Sequence, residues 1–197
     1  AQQFISLVDD IYRVLTRPDD HDLITSLTPS VPGKATAHKP IMLPHTRPGG
    51  VGGLLEILAD LGGRIDLHKL ADELSLEVDA LLPTVDTAVL LNTIRLEDGV
   101  AIITPEGLEF AHADIQKRKA MFRKAALANI PLLRQMEQAL KAKTDRTLSA
   151  EFFHDLLDEH FSEEESRRQL ETAIQWGRYA ELFDYDAATD KLTLTEV

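Results

Sequence analysis

Apolar residues recur along this chain at two spacings, and the change from one to the other marks its elements. Phe4, Leu7, Val8, Ile11, Tyr12 and Leu15 fall three and four residues apart, which predicts an amphipathic helix within residues 1–16. The same spacing returns in Val51, Leu54, Leu55, Leu58 and Leu61, then in Leu67, Leu70, Ala71 and Leu74, then in Leu81, Leu82, Val85 and Val89. These are three short helices. Gly62–Gly63 end the first, and Asp66 is placed to cap the second. Asp79 as N-cap of the third puts Pro83 in its first turn, where amides lack intrahelical acceptors. Thr93–Leu96 and Val100–Thr104 then flank Asp98–Gly99, a dipeptide suited to a hairpin turn. Thr104-Pro105 opens another helix, with threonine as cap and proline at the first helical position.

From Pro105 to about Leu127 the pattern is that of one long helix, interrupted at Asn129–Pro131. The plan then repeats. Leu132, Leu133, Met136 and Leu140 stripe a first helix, and Phe153, Leu156, Leu157 and Phe161 a second. Ser162 to Glu165 is a capping-box signature for a third, with Leu170, Ala173 and Ile174 inward. Leu182–Tyr185 and Lys191–Thr195 bracket a second turn. The expected fold is mainly α with two small β-hairpins (α+β), built as tandem winged-helix-like units at 51–107 and 131–197 with a connecting helix at 108–130. Identity between the copies is slight, so two unrelated helical units is the alternative. Residues 17–50 hold six of the nine prolines and read as a Pro-rich, semi-stiff linker.

Charge changes what those units are expected to do. With 33 acidic against 21 basic residues, the chain carries a net charge of −12. A nucleic-acid binder gains most of its affinity by neutralising phosphates with Lys and Arg. The third helix of the first unit instead has Asp79 and Asp86 and no basic residue. In the second unit Arg167 and Arg168 are outweighed by Glu163, Glu164, Glu165 and Glu171. The hairpins set Arg95 against Glu97 and Asp98, and Lys191 against several aspartates. Both readout elements carry the wrong sign for DNA, so nucleic acid is disfavoured as a partner. One basic cluster exists, Lys117, Arg118, Lys119, Arg123 and Lys124. It is either a solvated face balancing acidic neighbours or a docking surface for an acidic partner. Candidate partner contacts are therefore Phe4, Val8, Ile11 and Tyr12, with Lys117, Lys119, Arg123 and Lys124.

Candidate chemistry is sparse. His154, Asp155, Asp158, Glu159 and His160 lie close together, but the HExxH zinc arrangement is absent and His160 reads as a core-edge residue. His38 and His45 fall in the linker with nothing around them to tune a proton equilibrium. There is no cysteine, no GxSxG elbow and no GxxxxGK[ST] loop, and the glycines of RPGGVGG let the linker turn into a helix. Trp176, Tyr179, Phe183 and Tyr185 suit a core, with ligand stacking as the other use. No catalytic, cofactor-binding or metal residue is assigned, and the chain by itself reads as no enzyme. No apolar run reaches the roughly 18–20 residues of a membrane span, so direct membrane insertion is not expected.

Four stretches carry a family resemblance. FISLVDDIYRVLT resembles the closing helix of the ATP-binding subunits of ABC importers for nitrate, sulfonate, taurine and bicarbonate. RPGGVGGLLEILADLGGRIDLHKLADELSLEVDALLPTVDTAVLL, TPEGLEFAHADIQKRKAMFRKAAL and LSAEFFHDLLDEHFSEEESRRQLETAIQWGRYAELFDYD resemble the AAA-associated C-terminal domain appended to some of those subunits. The resemblance implies a regulatory or assembly domain, cytoplasmic and peripheral to the inner membrane through a parent transporter. Its implied partners are its own ATPase core and the permease subunits, with a homodimer through the exposed stripe of the first helix. Walker A, signature, Walker B and switch-histidine motifs have no counterpart here, so ATP and Mg are expected only in the missing ATPase core, and no cofactor in this chain. The competing functions are a tandem winged-helix transcription regulator and a plain dimerisation module.

Overall fold

Residues 41–195 are described by this computed structural model; the helix expected in 1–16, with Phe4, Val8, Ile11 and Tyr12, and the linker as far as Pro40 lie outside the described residues. The first helix, α1 (Pro48–Asp60), starts before the apolar stripe because Pro48 occupies its first turn. A short strand follows, β1 (Arg64–Asp66), then α2 (Leu67–Glu73), whose cap Asp66 accepts from the amides of His68 and Lys69. Next come α3 (Val78–Leu90), β2 (Ile94–Glu97) and β3 (Val100–Ile103). The β2–β3 turn is the expected Asp98–Gly99, with both residues at positive φ, 49° and 78°. Beyond it run α4 (Pro105–His112) and α5 (Ile115–Asn129).

The second half repeats this order. It contains α6 (Pro131–Ala142), β4 (Thr147–Ser149), α7 (Ala150–Asp158), α8 (Glu163–Tyr179), β5 (Phe183–Asp186) and β6 (Lys191–Leu194). Each half builds a three-stranded antiparallel sheet with the last strand in the middle, in the orders β1-β3-β2 and β4-β6-β5. The likeness extends to single hydrogen bonds. Leu67 N donates to Gly99 O, and Ala150 N to Asp190 O. Ile103 N donates to Gly63 O, and Leu194 N to Arg146 O. Thr93 N closes α3 onto Ala88 O as Leu182 N closes α8 onto Gly177 O, with Asn92 and Glu181 at positive φ in the same place.

Four sequence expectations need correction. The strands β1 and β4 went unseen, because three residues cannot display a period-two pattern. The helix expected from Pro105 to Leu127 is two helices: Ala113 is extended at ψ 152°, and Asp114 caps a fresh start by accepting from Lys117 N at 2.8 Å. The helix α3 begins at Val78 without a side-chain cap, so Pro83 lies inside it, not in its first turn. Leu61 and Val89 are exposed, at 38% and 37%, while Ala88 takes the buried place on α3.

One apolar core runs through both halves, from Leu55 and Leu58 of α1 through Phe110 and Phe122 to Phe153 and Trp176. Phe122 of α5 meets Trp176 and Tyr179 of α8 edge-on, with ring centroids 5.9 and 5.0 Å apart. Burial raises the Tyr179 hydroxyl above its ordinary range, against the lowering charges of Arg118 and Lys119. Gly177 makes room for a further ring of the core: a Cβ there would meet Phe183. Gly177→Ala should cost about 1–3 kcal/mol of stability by overpacking, read as a lower urea midpoint with an unchanged slope; an unaltered midpoint would refute the contact.

Candidate functional site

A buried backbone must find hydrogen-bond partners within the protein. Residues 41–50 were expected in an extended linker, yet Leu43 is only 1% exposed and lies against α8. The fully buried Gln169 solves its polar problem: its Oε1 accepts from Leu43 N at 2.8 Å and its Nε2 donates to Leu43 O at 3.0 Å. The same Nε2 donates to Glu165 Oε1 at 2.7 Å. One side chain thereby imitates a neighbouring strand.

The residues that follow hold the segment from three more sides. His45 Nε2 lies 3.0 Å from Glu165 Oε1, and its Nδ1 lies 2.9 Å from Thr172 Oγ1. This corrects the expectation that nothing surrounds His45. Trp176 Nε1 donates to Thr46 O at 2.9 Å, while the Thr46 and Thr84 hydroxyls meet at 3.0 Å. Thr84 belongs to α3 of the first half and Trp176 to α8 of the second, so the segment clasps both halves just before α1 begins. His38 lies outside the described residues.

The sequence held a signal for this clasp that apolar periodicity overlooks. Glu165, Gln169, Thr172 and Trp176 recur at four, three and four residues, a polar stripe along one face of α8. Polar groups in such a row, next to an apolar stripe, are suited to receive a chain rather than water.

Most of the basic cluster is engaged inside the fold. Lys119 Nζ bonds Glu181 Oε1 at 2.7 Å, and Arg123 donates to Glu181 O at 2.7 Å and approaches Glu137 Oε1 at 3.4 Å. Glu137 is nearly buried and is shared with Lys141 at 2.9 Å. Arg118 pairs with Glu56, donates to Ala111 O and lies 5.9 Å from the Phe110 ring centre. Lys117 pairs with Glu109 at 2.8 Å on the surface, which lowers the carboxyl and raises the ammonium. Lys124 is exposed. Lys119 and Arg123 thus tie α5 to the turn between α8 and β5.

Of the histidine cluster, His154, Asp155 and Asp158 bring one potential ligand atom each within 4.8 Å, all on α7. His154 Nδ1 lies 3.3 Å from Asp158 Oδ2. Both aspartates are exposed, and His160 is exposed rather than at the core edge. Trp176 and Phe183 are wholly buried as core residues, and Tyr185 is half-buried.

The Gln169 hydrogen bond holds the Glu165 carboxyl below its ordinary range, assisted by His45 and Arg168 and opposed by burial. A carboxyl lowered on folding contributes stability above its unfolded value, near 4.5, and loses that contribution as pH falls through the folded value. Glu165→Gln should therefore flatten the acid limb of the stability–pH curve below about pH 4.5. An acid limb as steep as the parent's, in urea titrations at several pH values, would refute it.

The profile of a protein family described as the C-terminal AAA-associated domain matches residues 68–186. No curated protein and no solved structure matches. The chain belongs to the family of C-terminal AAA-associated domains, and a domain of that description is not itself the catalytic ATPase core.

Proposed function

We propose that this C-terminal AAA-associated domain is a non-catalytic regulatory or assembly domain of an ABC importer ATP-binding subunit, of the group handling nitrate, sulfonate, taurine and bicarbonate. The family match over residues 68–186 carries the reading. Partner contact or ligand sensing is its mode of action, with its own ATPase core and the permease as partners and the cytoplasmic side of the membrane as its place. The clasp supports a mechanical role. In a chain arriving from an upstream ATPase core, Leu43, His45 and Thr46 are gripped by Gln169, Glu165, Trp176 and Thr84, so a pull on it would load α3 and α8 together.

We read each half as winged-helix-like from its helix, strand, helix, helix, hairpin order. Duplex DNA is not among the partners proposed, because Asp79 and Asp86 on α3 and Glu163, Glu164 and Glu171 on α8 are exposed. Among the described residues no helix is long and apolar enough to cross a membrane, so attachment would run through the parent transporter.

The test is the parent importer with and without residues 48–197, assayed for ATP hydrolysis and solute uptake at varied solute concentration. The domain should change how hydrolysis or uptake responds to solute, or how much transporter assembles. Identical rates and identical assembly would overturn the proposal. So would tight binding of this chain to duplex DNA at low salt.

A further inference from the structure

The shared hydrogen bonds allow the two halves to be compared position by position. Leu67 corresponds to Ala150, Gly99 to Asp190 and Ala88 to Gly177, because each pair makes the same backbone bond. Counting back along the helices, Val78, Leu81, Leu82 and Val85 of α3 correspond to Arg167, Leu170, Glu171 and Ile174 of α8. Leu96 of β2 corresponds to Tyr185 of β5, each being the third residue of its strand.

In the second half these positions surround a cavity of about 510 Å³ between α7, α8 and the β5–β6 hairpin. That is within the size range of small-ligand sites, about 300–1,000 Å³. Ala150, Leu170 and Ile174 contribute apolar surface as Leu67, Leu81 and Val85 do in the first half. The remainder of the lining differs in kind. Glu151, His154, Arg167, Glu171, Tyr185 and Asp190 stand where the first half has His68, Ala71, Val78, Leu82, Leu96 and Gly99. At five of these six places, all but that of His68, the fold forms with leucine, valine, alanine or glycine, so packing alone does not require ionisable groups there.

The charges are not balanced within the cavity. Arg167 bonds Glu163 at 3.2 Å and His154 lies 3.3 Å from Asp158, both partners outside the lining. Among the described residues Glu151 and Glu171 have no cationic partner, and Asp190 accepts from the Tyr185 hydroxyl at 2.8 Å. That hydrogen bond, then burial, then the charges of Asp190, Asp186 and Glu171, hold the tyrosine proton above its ordinary range. An apolar surface beside an anionic rim complements a cation on a hydrocarbon stem.

We propose that this cavity binds a lysine or arginine side chain of a partner protein, its stem along Leu170 and Ile174 and its cationic head among Glu151, Glu171 and Asp190. The assignment is independent of the ATPase reading, since the cavity belongs to the chain whatever precedes it. The experiment is an amide NMR titration of the full chain with N-acetyl-arginine N-methylamide, a blocked side chain, and separately with free arginine and N-acetyl-glutamate. Saturable shifts are expected around Ala150, Leu170, Glu171 and Asp190 with the blocked arginine only, or more tightly with it than with free arginine. The double variant Glu171→Gln, Asp190→Asn should weaken binding about three- to ten-fold, with the spectrum away from the cavity unchanged. Asparagine tolerates the positive φ of 53° at position 190, which guards the turn. Glu164→Gln, on α8 but outside the lining, should leave affinity as it was. Absence of saturable shifts up to roughly 50 mM, a limit set by the weak affinity of single side chains, would overturn the proposal. So would unchanged affinity in the double variant, or tighter binding of free arginine than of the blocked form.

Discussion

The way Leu43 is satisfied constrains how residues 43–46 lead into α1. An extended segment laid on a helix buries one N–H and one C=O that the helix backbone cannot serve, since its own groups are already paired. An amide side chain is a neutral group with donor and acceptor spaced to answer both. Gln169 does so from the middle of α8, and its remaining donor then fixes Glu165. Glu165 in turn positions His45, and the turn through Thr46 brings the chain to Trp176 and Thr84. A hydrophobic replacement at Gln169 would therefore strand two backbone groups and loosen a polar chain that reaches both halves.

Against this fixed entrance, the halves differ where the fold permits it. Their sheets, helix ends and closing hydrogen bonds agree, while the positions that line the cavity of the second half are mostly apolar in the first and mostly ionisable in the second. Two halves of like plan present two versions of each surface, and the version not needed for packing is available for recognition. The basic residues of α5 went the other way. Lys119, Arg123 and Arg118 are absorbed into contacts with Glu181, Glu137 and Glu56, so a cluster conspicuous in one dimension is largely internal in three.

Sequence reading recovered what depends on local signals. Asp66, Thr104 and Ser162 cap the helices they were expected to cap, and Asp98–Gly99 makes the expected turn. It failed where partners are distant. Leu43 and Gln169 are separated by 126 residues, and no periodicity links them. Three-residue strands gave no pattern, and Ala113 broke a helix although alanine is the best helix former. Asp114 decided that break by offering a cap. The clasp was legible only as the polar stripe on α8, and a stripe does not name what lies on it.

The shared core has a bearing on where this domain begins and ends. Family similarity covers residues 68–186, whereas the strands β1 and β6 and the helix α1 lie outside that span. Since β6 is the middle strand of its sheet, a protein cut to the similar region would keep β4 and β5 with nothing between them. It would also lose Leu55 and Leu58, two of the wholly buried side chains. The boundary of recognisable ancestry and the boundary of the folding unit are thus different lines, and the second is the wider one.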